Sequence, residues 1–155
     1  MSVTVIGGGV MGLCVATELT RRGIPTAVRD GAPGPHACSW WAGGMLAPWC
    51  EGESAEEAVT RHGITAADWW QAQGVPVARN GTLVVSLSRD AAALDRFARR
   101  SRGHRMLDAE GIAALEPDLA GRFARALFFA EEAHLAPRQA LAILSERLRR
   151  TETAS

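Results

Sequence analysis

The chain of 155 residues opens on the run Val3-Thr4-Val5-Ile6-Gly7-Gly8-Gly9-Val10-Met11-Gly12, which decides how its first part folds. The residues before the glycines are apolar and rich in β-branched side chains, which predicts a short buried strand. Apolar residues then recur at helical spacing from 10 to 22, so the glycines join a strand to a helix. The three that form the pattern G-x-G-x-x-G are Gly7, Gly9 and Gly12.

Each of these glycines has a separate physical role. Gly7 permits a tight turn, Gly9 lets the backbone approach a pyrophosphate, and Gly12 lets the helix pack closely on the strand. The helix N-terminus adds unpaired N–H groups and partial positive charge for phosphates. Asp30 follows Gly12 by 18 residues, at the end of a second strand candidate. A carboxylate there accepts hydrogen bonds from a ribose diol, so the motif predicts a dinucleotide site, open to FAD or NAD.

Composition excludes several other classes of function. Seventeen basic residues, all Arg, balance seventeen acidic ones, which argues against nucleic acid and polybasic membrane surfaces as partners. The absence of Lys and Tyr removes a Schiff-base lysine and a phenolic acid or base. Three cysteines without CxxC spacing and four scattered histidines suggest neither a disulfide framework nor a metal site. With no signal-peptide pattern and no apolar run of membrane-spanning length, we predict a cytoplasmic protein.

The segment from 38 to 48 is uncharged and rich in small residues. Such a segment suits close approach of the backbone to a large flat cofactor, which favours FAD over NAD. The alternative, a core loop whose tryptophans fill volume, stays open on composition alone.

The rest of the chain alternates between helix and strand signals. We expect helices over 54–73 (with a break at Gly63), 90–102, 108–115 and 137–150, and strands over 25–29, 82–88 and 126–129. Residues 151–155 are expected to form a frayed tail. A basic cluster between 96 and 105 is interpreted as a solvated helix face rather than an anion site.

At this point the sequence resembles the D-amino-acid oxidase family of FAD-dependent oxidoreductases, and within it most closely the glycine oxidases of thiamine biosynthesis. The stretch Gly43-Gly44-Met45-Leu46-Ala47-Pro48 is the more specific part of the match. Asn80-Gly81-Thr82-Leu83 and His134-Leu135-Ala136-Pro137-Arg138 extend it over nearly the whole chain. Asp30 stands where the family usually has Glu, which shortens the reach and keeps the charge.

The resemblance implies a set of FAD-binding residues. The first turn would hold the pyrophosphate, Asp30 and Gly31 the adenosine ribose, and two residues at 38 and 39 the diphosphate and ribityl path. A last group would lie against the isoalloxazine ring. The full set is Gly7, Gly9, Val10, Met11, Gly12, Asp30, Gly31, Cys38, Ser39, Gly43, Gly44 and Met45.

The resemblance also implies the reaction. A small amino acid or amine loses a hydride from its α-carbon to flavin N5, the imine hydrolyses, and oxygen reoxidises the flavin to give peroxide. No residue here matches the family's carboxylate clamp, so the catalytic residues stay unknown. A flavin-binding remnant without turnover and a NAD-dependent Rossmann enzyme are the alternatives.

The fold class expected is α/β. We predict a Rossmann-type FAD-binding βαβ unit, of the glutathione-reductase-like kind, with part of an α+β substrate domain. The expected divisions are 1–75 for the FAD-binding part, 76–130 for a partial substrate domain, and 131–155 for a helix returning to the FAD domain plus a tail. The resemblance indicates about half of a two-domain enzyme. Its partner would be a second copy of the chain or a separately encoded C-terminal half.

Overall fold

The computed structural model describes residues 2–31, 34–52, 54 and 56–153. Within them the strands are β1 (Val3–Ile6), β2 (Thr26–Arg29), β3 (Met45–Leu46), β4 (Val77–Ala78), β5 (Thr82–Val85), β6 (Arg105–Asp108), β7 (Arg125–Phe129) and β8 (Ala133–Leu135). The helices are α1 (Val10–Arg21), α2 (Pro48–Glu51), α3 (Glu57–Gly63), α4 (Ala66–Ala72), α5 (Ala91–Arg100), α6 (Ala109–Leu115) and α7 (Pro137–Thr153). None of the helices in this part of the chain combines the length and apolar character needed to cross a bilayer.

Contacts divide the chain into two compact units, each assembled from separate segments. The first unit contains residues 1–44, 68–77 and 135–155, and the second contains 45–67 and 78–134. The domain boundaries expected from the sequence, after 75 and after 130, stay a prediction.

A β–α–β arrangement forms the start of the first unit. β1 and β2 pair in parallel with Val3 opposite Thr26 and Ile6 opposite Arg29, and α1 connects them. The side chains of α1 that point inward include Leu13 and Ala16, which are buried. α1 ends where Gly23 adopts a left-handed conformation and its N–H bonds to the carbonyl of Thr20. The α/β class and this Rossmann-type βαβ unit are therefore confirmed.

The long helix α7 packs on α1 within the same unit. Leu141 and Leu144 on its inner face are buried, as the leucine spacing predicts. Pro137 occupies the first turn of α7, where the missing N–H of proline costs no hydrogen bond. The helix runs on to Thr153, so the frayed tail expected from 151 is wrong as far as Thr153, and residues 154–155 lie outside the described residues.

The second unit is built around an antiparallel sheet in the order β5–β7–β6. The central strand β7 is buried on both faces, because alternate side chains point to opposite sides. Ala126 and Phe128 pack with Leu107 and Ile112, whereas Leu127 and Phe129 pack with Leu94 of α5. A continuous apolar run is the signature of such a strand, and β7 was predicted from it.

A smaller sheet has the order β3–β8–β4, with Met45 opposite His134 and Leu46 opposite Ala133. The single helix expected over 54–73 is two helices, α3 and α4, that separate after Gly63, as the sequence suggested. The strands β3, β4, β6 and β8 and the one-turn helix α2 were not predicted.

Candidate dinucleotide-binding site

The carboxyl ends of β1 and β2 lie side by side, and this places the glycine turn beside Asp30. Ile6 pairs with Arg29, and the N–H of Gly7 continues the ladder by bonding to the Arg29 carbonyl at 2.7 Å. Gly7 has φ of +105°, a backbone conformation that an L side chain rarely adopts. In open α/β sheets, ligands bind at the carboxyl ends of the strands, so this edge is where a dinucleotide is expected.

Asp30 closes the turn with a hydrogen bond. Its Oδ2 accepts the backbone N–H of Gly8 at 2.7 Å. A Cβ on Gly8 would lie 2.6 Å from the same oxygen, so this position has room only for glycine while the bond exists. The motif G-x-G-x-x-G treats the second residue as free, so Gly8 was not predicted as part of the site. The run of three consecutive glycines was the signal for it.

Ser39 contacts the other side of the turn. It is buried, and its hydroxyl oxygen accepts the N–H of Val10 at 3.0 Å. Val10 is the first residue of α1, so this bond satisfies one of the N–H groups that a helix start leaves unpaired. The next two N–H groups, of Met11 and Gly12, have no intrahelical acceptor in an α-helix. They are the donors that the helix can offer to an anion.

The close approach at Gly12 is a packing requirement of the chain itself. A Cβ built on Gly12 would collide with the carbonyl oxygen of Gly7 and reach Val5 at 3.3 Å. A Cβ on Gly9 would lie 3.2 Å from the Ser39 oxygen. A side chain at Gly12 would therefore push the strand, turn and helix apart, which matches the packing role predicted for this glycine. The role predicted for Gly9, close approach to a pyrophosphate, stays a prediction.

Gly43 and Gly44 are neighbours with different surroundings. A Cβ on Gly43 would meet nothing within 4 Å, and Gly43 is exposed. Gly44 has φ of +77°, and a Cβ there would collide with the Leu135 carbonyl and lie 2.9 Å from Pro137. Its own carbonyl accepts the Leu135 N–H at 3.0 Å. The need for glycine at 44 is thus explained by packing within the first unit, whereas at 43 no atom of the described residues requires it.

The other predicted site residues are placed as follows. Gly31 is exposed, and a Cβ there would also meet nothing within 4 Å. Cys38 is an exposed free thiol at the start of a 3₁₀ turn, Cys38–Trp41, that also carries Ser39. Met45 is half exposed and belongs to the second unit.

Two tryptophans of this turn stack on one arginine. The guanidinium of Arg138, in the first turn of α7, lies 5.3 Å from the Trp40 ring centroid and 5.1 Å from that of Trp41. Arg138 also donates to the Trp40 carbonyl at 3.3 Å, and the Trp41 indole donates to the Pro35 carbonyl at 2.9 Å. Trp41 is two-thirds exposed, so it does not fill core volume, and the cation–π contacts hold the turn that carries Ser39.

The thiol of Cys14 on α1 carries no charge near pH 7. Cys14 lies one helical turn into α1, and burial, with a smaller contribution from Glu18, raises the pKa of its thiol to about 11. The thiol is therefore neutral near pH 7 and adds no negative charge beside the phosphate-binding turn.

The geometry fits the diphosphate of a dinucleotide. Glycines that leave no room for side chains border the helix start, two N–H donors there lack intrahelical acceptors, and a carboxylate lies at the end of the neighbouring strand. These features together define the class: a Rossmann-type dinucleotide-binding unit.

Comparisons with known proteins give the family. Residues 2–152 match the model of the DAO family, described as FAD dependent oxidoreductase. A provisionally named thiamine biosynthesis oxidoreductase, ThiO, of Rhizobium etli is 59% identical over 149 residues, which are 94% of this chain and 45% of that protein. The chain therefore belongs to the DAO family of FAD-dependent oxidoreductases, and FAD is the cofactor of that family.

Solved structures agree on the fold. Glycine oxidase from Bacillus cereus superposes with a TM-score of 0.77 at 19% identity, covering 97% of this chain and 45% of that one. L-α-glycerophosphate oxidase from Mycoplasma pneumoniae, solved with FAD bound, superposes with a TM-score of 0.76 at 18% identity, covering 97% and 43%. The chain thus spans about half the length of the proteins it matches.

Proposed function

We propose that the glycine turn, Asp30 and the Ser39 turn bind FAD, and that the protein to which they belong oxidises a small amino acid or amine. The single observation that carries the binding proposal is the Ser39–Val10 hydrogen bond, which fixes the start of α1, where the next two N–H groups lack intrahelical acceptors. The family match and the 59% identity to a protein named ThiO support the choice of FAD over NAD.

The roles of the individual residues follow from their positions. The N–H groups of Met11 and Gly12 would donate to the diphosphate, with Gly7 and Gly9 keeping side chains away from it. Asp30 and Gly31 would face the adenosine ribose, and Cys38 and Ser39 the path from diphosphate to ribityl chain. Gly43 and Gly44 would lie along the flavin, with Met45 beyond them in the second unit. When bound, FAD supplies a flavin N5 that takes a hydride from the substrate α-carbon.

Gly43 allows the sharpest test of cofactor contact. Because a Cβ there meets no protein atom within 4 Å, Gly43→Ala should leave the stability of the free chain within about 0.5 kcal/mol. If the flavin lies against Gly43, the same methyl should weaken FAD binding by about tenfold. Ala130→Ser, a change of similar size at an exposed turn of the second unit, is the matched control.

FAD affinity is measured by titrating the purified chain with FAD and recording the quenching of flavin fluorescence. The stability of each variant is measured separately, by thermal unfolding without cofactor. Equal FAD affinity for Gly43→Ala and the unchanged chain would remove Gly43 from the site. A chain that takes up NAD and no FAD would overturn the flavin proposal altogether.

Turnover is a separate proposal, because the chain spans only 45% of its ThiO relative. Glycine added without oxygen to the flavin-loaded chain should bleach the visible flavin absorption, and oxygen should restore it with release of peroxide. Binding without bleaching would indicate a flavin-binding remnant. The role in thiamine biosynthesis rests on the name of that relative, and a second copy or a separate C-terminal half as partner stays a prediction, as does the cytoplasmic location.

A further inference from the structure

A cavity of about 550 Å³ lies within the second unit, and the dinucleotide proposal makes no use of it. Its volume is in the range of small-molecule sites. The residues that line it come from α2, α3 and the end of α5: Trp49, Gly52, Glu57, Thr60, Arg61, Ile64, Arg100 and Arg102.

The charge of this cavity is strongly one-sided. Among the described residues that line it are three guanidinium groups and one carboxylate, that of Glu57, in a chain whose formal net charge is zero. Within the same part of the chain, Arg61 and Arg102 have no ion-pair partner. Arg100 makes an interaction of its own, which leaves Arg61 and Arg102 for a ligand. Unpaired guanidinium groups around a concave space attract a carboxylate or phosphate, which their planar fork binds with two hydrogen bonds.

The cavity also has a rigid aromatic wall. Trp49 packs against the buried cluster of Leu94, Leu127 and Phe129. Gly103 approaches its indole so closely that a Cβ would lie 3.1 Å from the ring. A side chain held in this way offers a flat apolar surface at little cost in conformational entropy, and Ile64 adds a second apolar contact.

We propose that this cavity binds a small organic anion, in which a carboxylate or phosphate is carried on a flat apolar group. The anionic end would bind Arg61 and Arg102, and the flat part would lie on Trp49. The sequence pattern was interpreted as a solvated helix face at 96–105. Arg100 and Arg102 of that cluster are exposed and also line the cavity, together with Arg61 and Trp49, which are distant from the cluster in sequence.

The test is isothermal titration calorimetry of the purified chain with three probes: phenyl phosphate, benzoate and the neutral benzyl alcohol. One or both anions should bind to a single saturable site, and their relative affinity identifies phosphate or carboxylate as the preferred group. Arg61→Gln and Arg102→Gln should each weaken that binding by about tenfold or more. Arg122 is an exposed arginine of the same unit that does not line the cavity, so Arg122→Gln should change the affinity for the anion by no more than about twofold.

Two further measurements locate the probe. Trp49→Phe keeps an aromatic side chain in the core and should abolish the change in tryptophan fluorescence caused by the anion. The same anion titration repeated with saturating FAD should give an unchanged affinity, because the cavity does not include the dinucleotide site.

The proposal is overturned if neither anion binds, if benzyl alcohol binds equally well, if Arg122→Gln loses as much affinity as Arg61→Gln, or if FAD competes with the anion. A chain that binds the anion and no FAD would overturn the FAD proposal alone.

Discussion

The hydroxyl oxygen of Ser39 accepts the backbone N–H of Val10 at 3.0 Å, joining a 3₁₀ turn to the first residue of a helix 29 residues earlier. Ser39 is buried, so removing its oxygen leaves that N–H without a partner in the free chain. Ser39→Ala should lower the free energy of unfolding by about 1–2 kcal/mol and weaken FAD binding several-fold. Chemical denaturation and the FAD titration measure the two effects. Ser54→Ala, at an exposed serine of the second unit, should change neither.

Gly44 and Gly43 should separate folding from cofactor binding. Gly44→Ala forces a side chain into the Leu135 carbonyl at a positive φ, so it should destabilise the chain by more than 1 kcal/mol even without FAD. Gly43→Ala should not. Equal unfolding midpoints for the two variants in urea would contradict the packing assigned to Gly44.

The carboxylate of Glu18 links α1 to α4. The Arg21 guanidinium donates to it at 2.8 Å, and the Trp69 indole N–H donates to it at 2.8 Å. These hydrogen bonds, that of Arg21 first, hold the pKa of Glu18 below its ordinary value of 4.5. The stabilisation is therefore complete above pH 4.5 and is lost as pH falls through the lowered value. Trp69→Phe should lower Tm above pH 4.5, and the gap to the unchanged chain should close at lower pH. A gap that does not depend on pH would mean that lost packing, not the hydrogen bond, causes it.

Thiol reactivity should rank by exposure. Burial raises the pKa of both Cys14 and Cys50 to about 11, with Glu132 adding to the effect at Cys50, whereas Cys38 is exposed. At pH 8 iodoacetamide should label Cys38 first, and Cys38→Ser should leave only slow labelling, counted by mass spectrometry. The folded state favours the neutral form of these two half-buried thiols. Their contribution to stability is intact below pH 9.0 and should be lost as pH rises towards about 11. Labelling of Cys14 as fast as Cys38 would contradict the burial.

Glu132 is fully buried, and one of its oxygens accepts the Cys50 N–H at 2.7 Å while the other has no partner among the described residues. Glu132→Ala should destabilise the chain by about 1–3 kcal/mol, because it orphans that N–H. Glu132→Gln keeps an acceptor oxygen for that N–H, so it should lose less stability than Glu132→Ala. The control is Glu131→Ala at the exposed neighbouring residue, which should change the free energy of unfolding by no more than about 0.5 kcal/mol. Denaturant unfolding measures the stability of all three variants. Equal losses of stability for Glu132→Gln and Glu132→Ala would contradict a role for an acceptor oxygen at this position.

The parts of the fold that were predictable carry local signals. β1, the glycine turn and α1 follow one another within 21 residues, and the residues of β7 after Arg125 form an unbroken apolar run. β6, Arg-Met-Leu-Asp, has no alternation of its own and becomes a strand because Met106 and Leu107 pair with β7. The bonds Asp30–Gly8 and Ser39–Val10 could not be predicted either. Each bond joins two residues that are far apart in the sequence, by 22 positions in the first case and 29 in the second, and no rule of sequence spacing predicts such contacts.

The pairing of Leu135 with Gly44 has a consequence for synthesis of the chain. The first unit takes its residues from 1–44, 68–77 and 135–155, so α7 can pack on α1 only after residues 45–134 have been synthesised. Contacts of such long sequence separation form late and slowly. The β–α–β unit is synthesised first, yet it gains its packing against α7 only after every segment of the second unit has been translated.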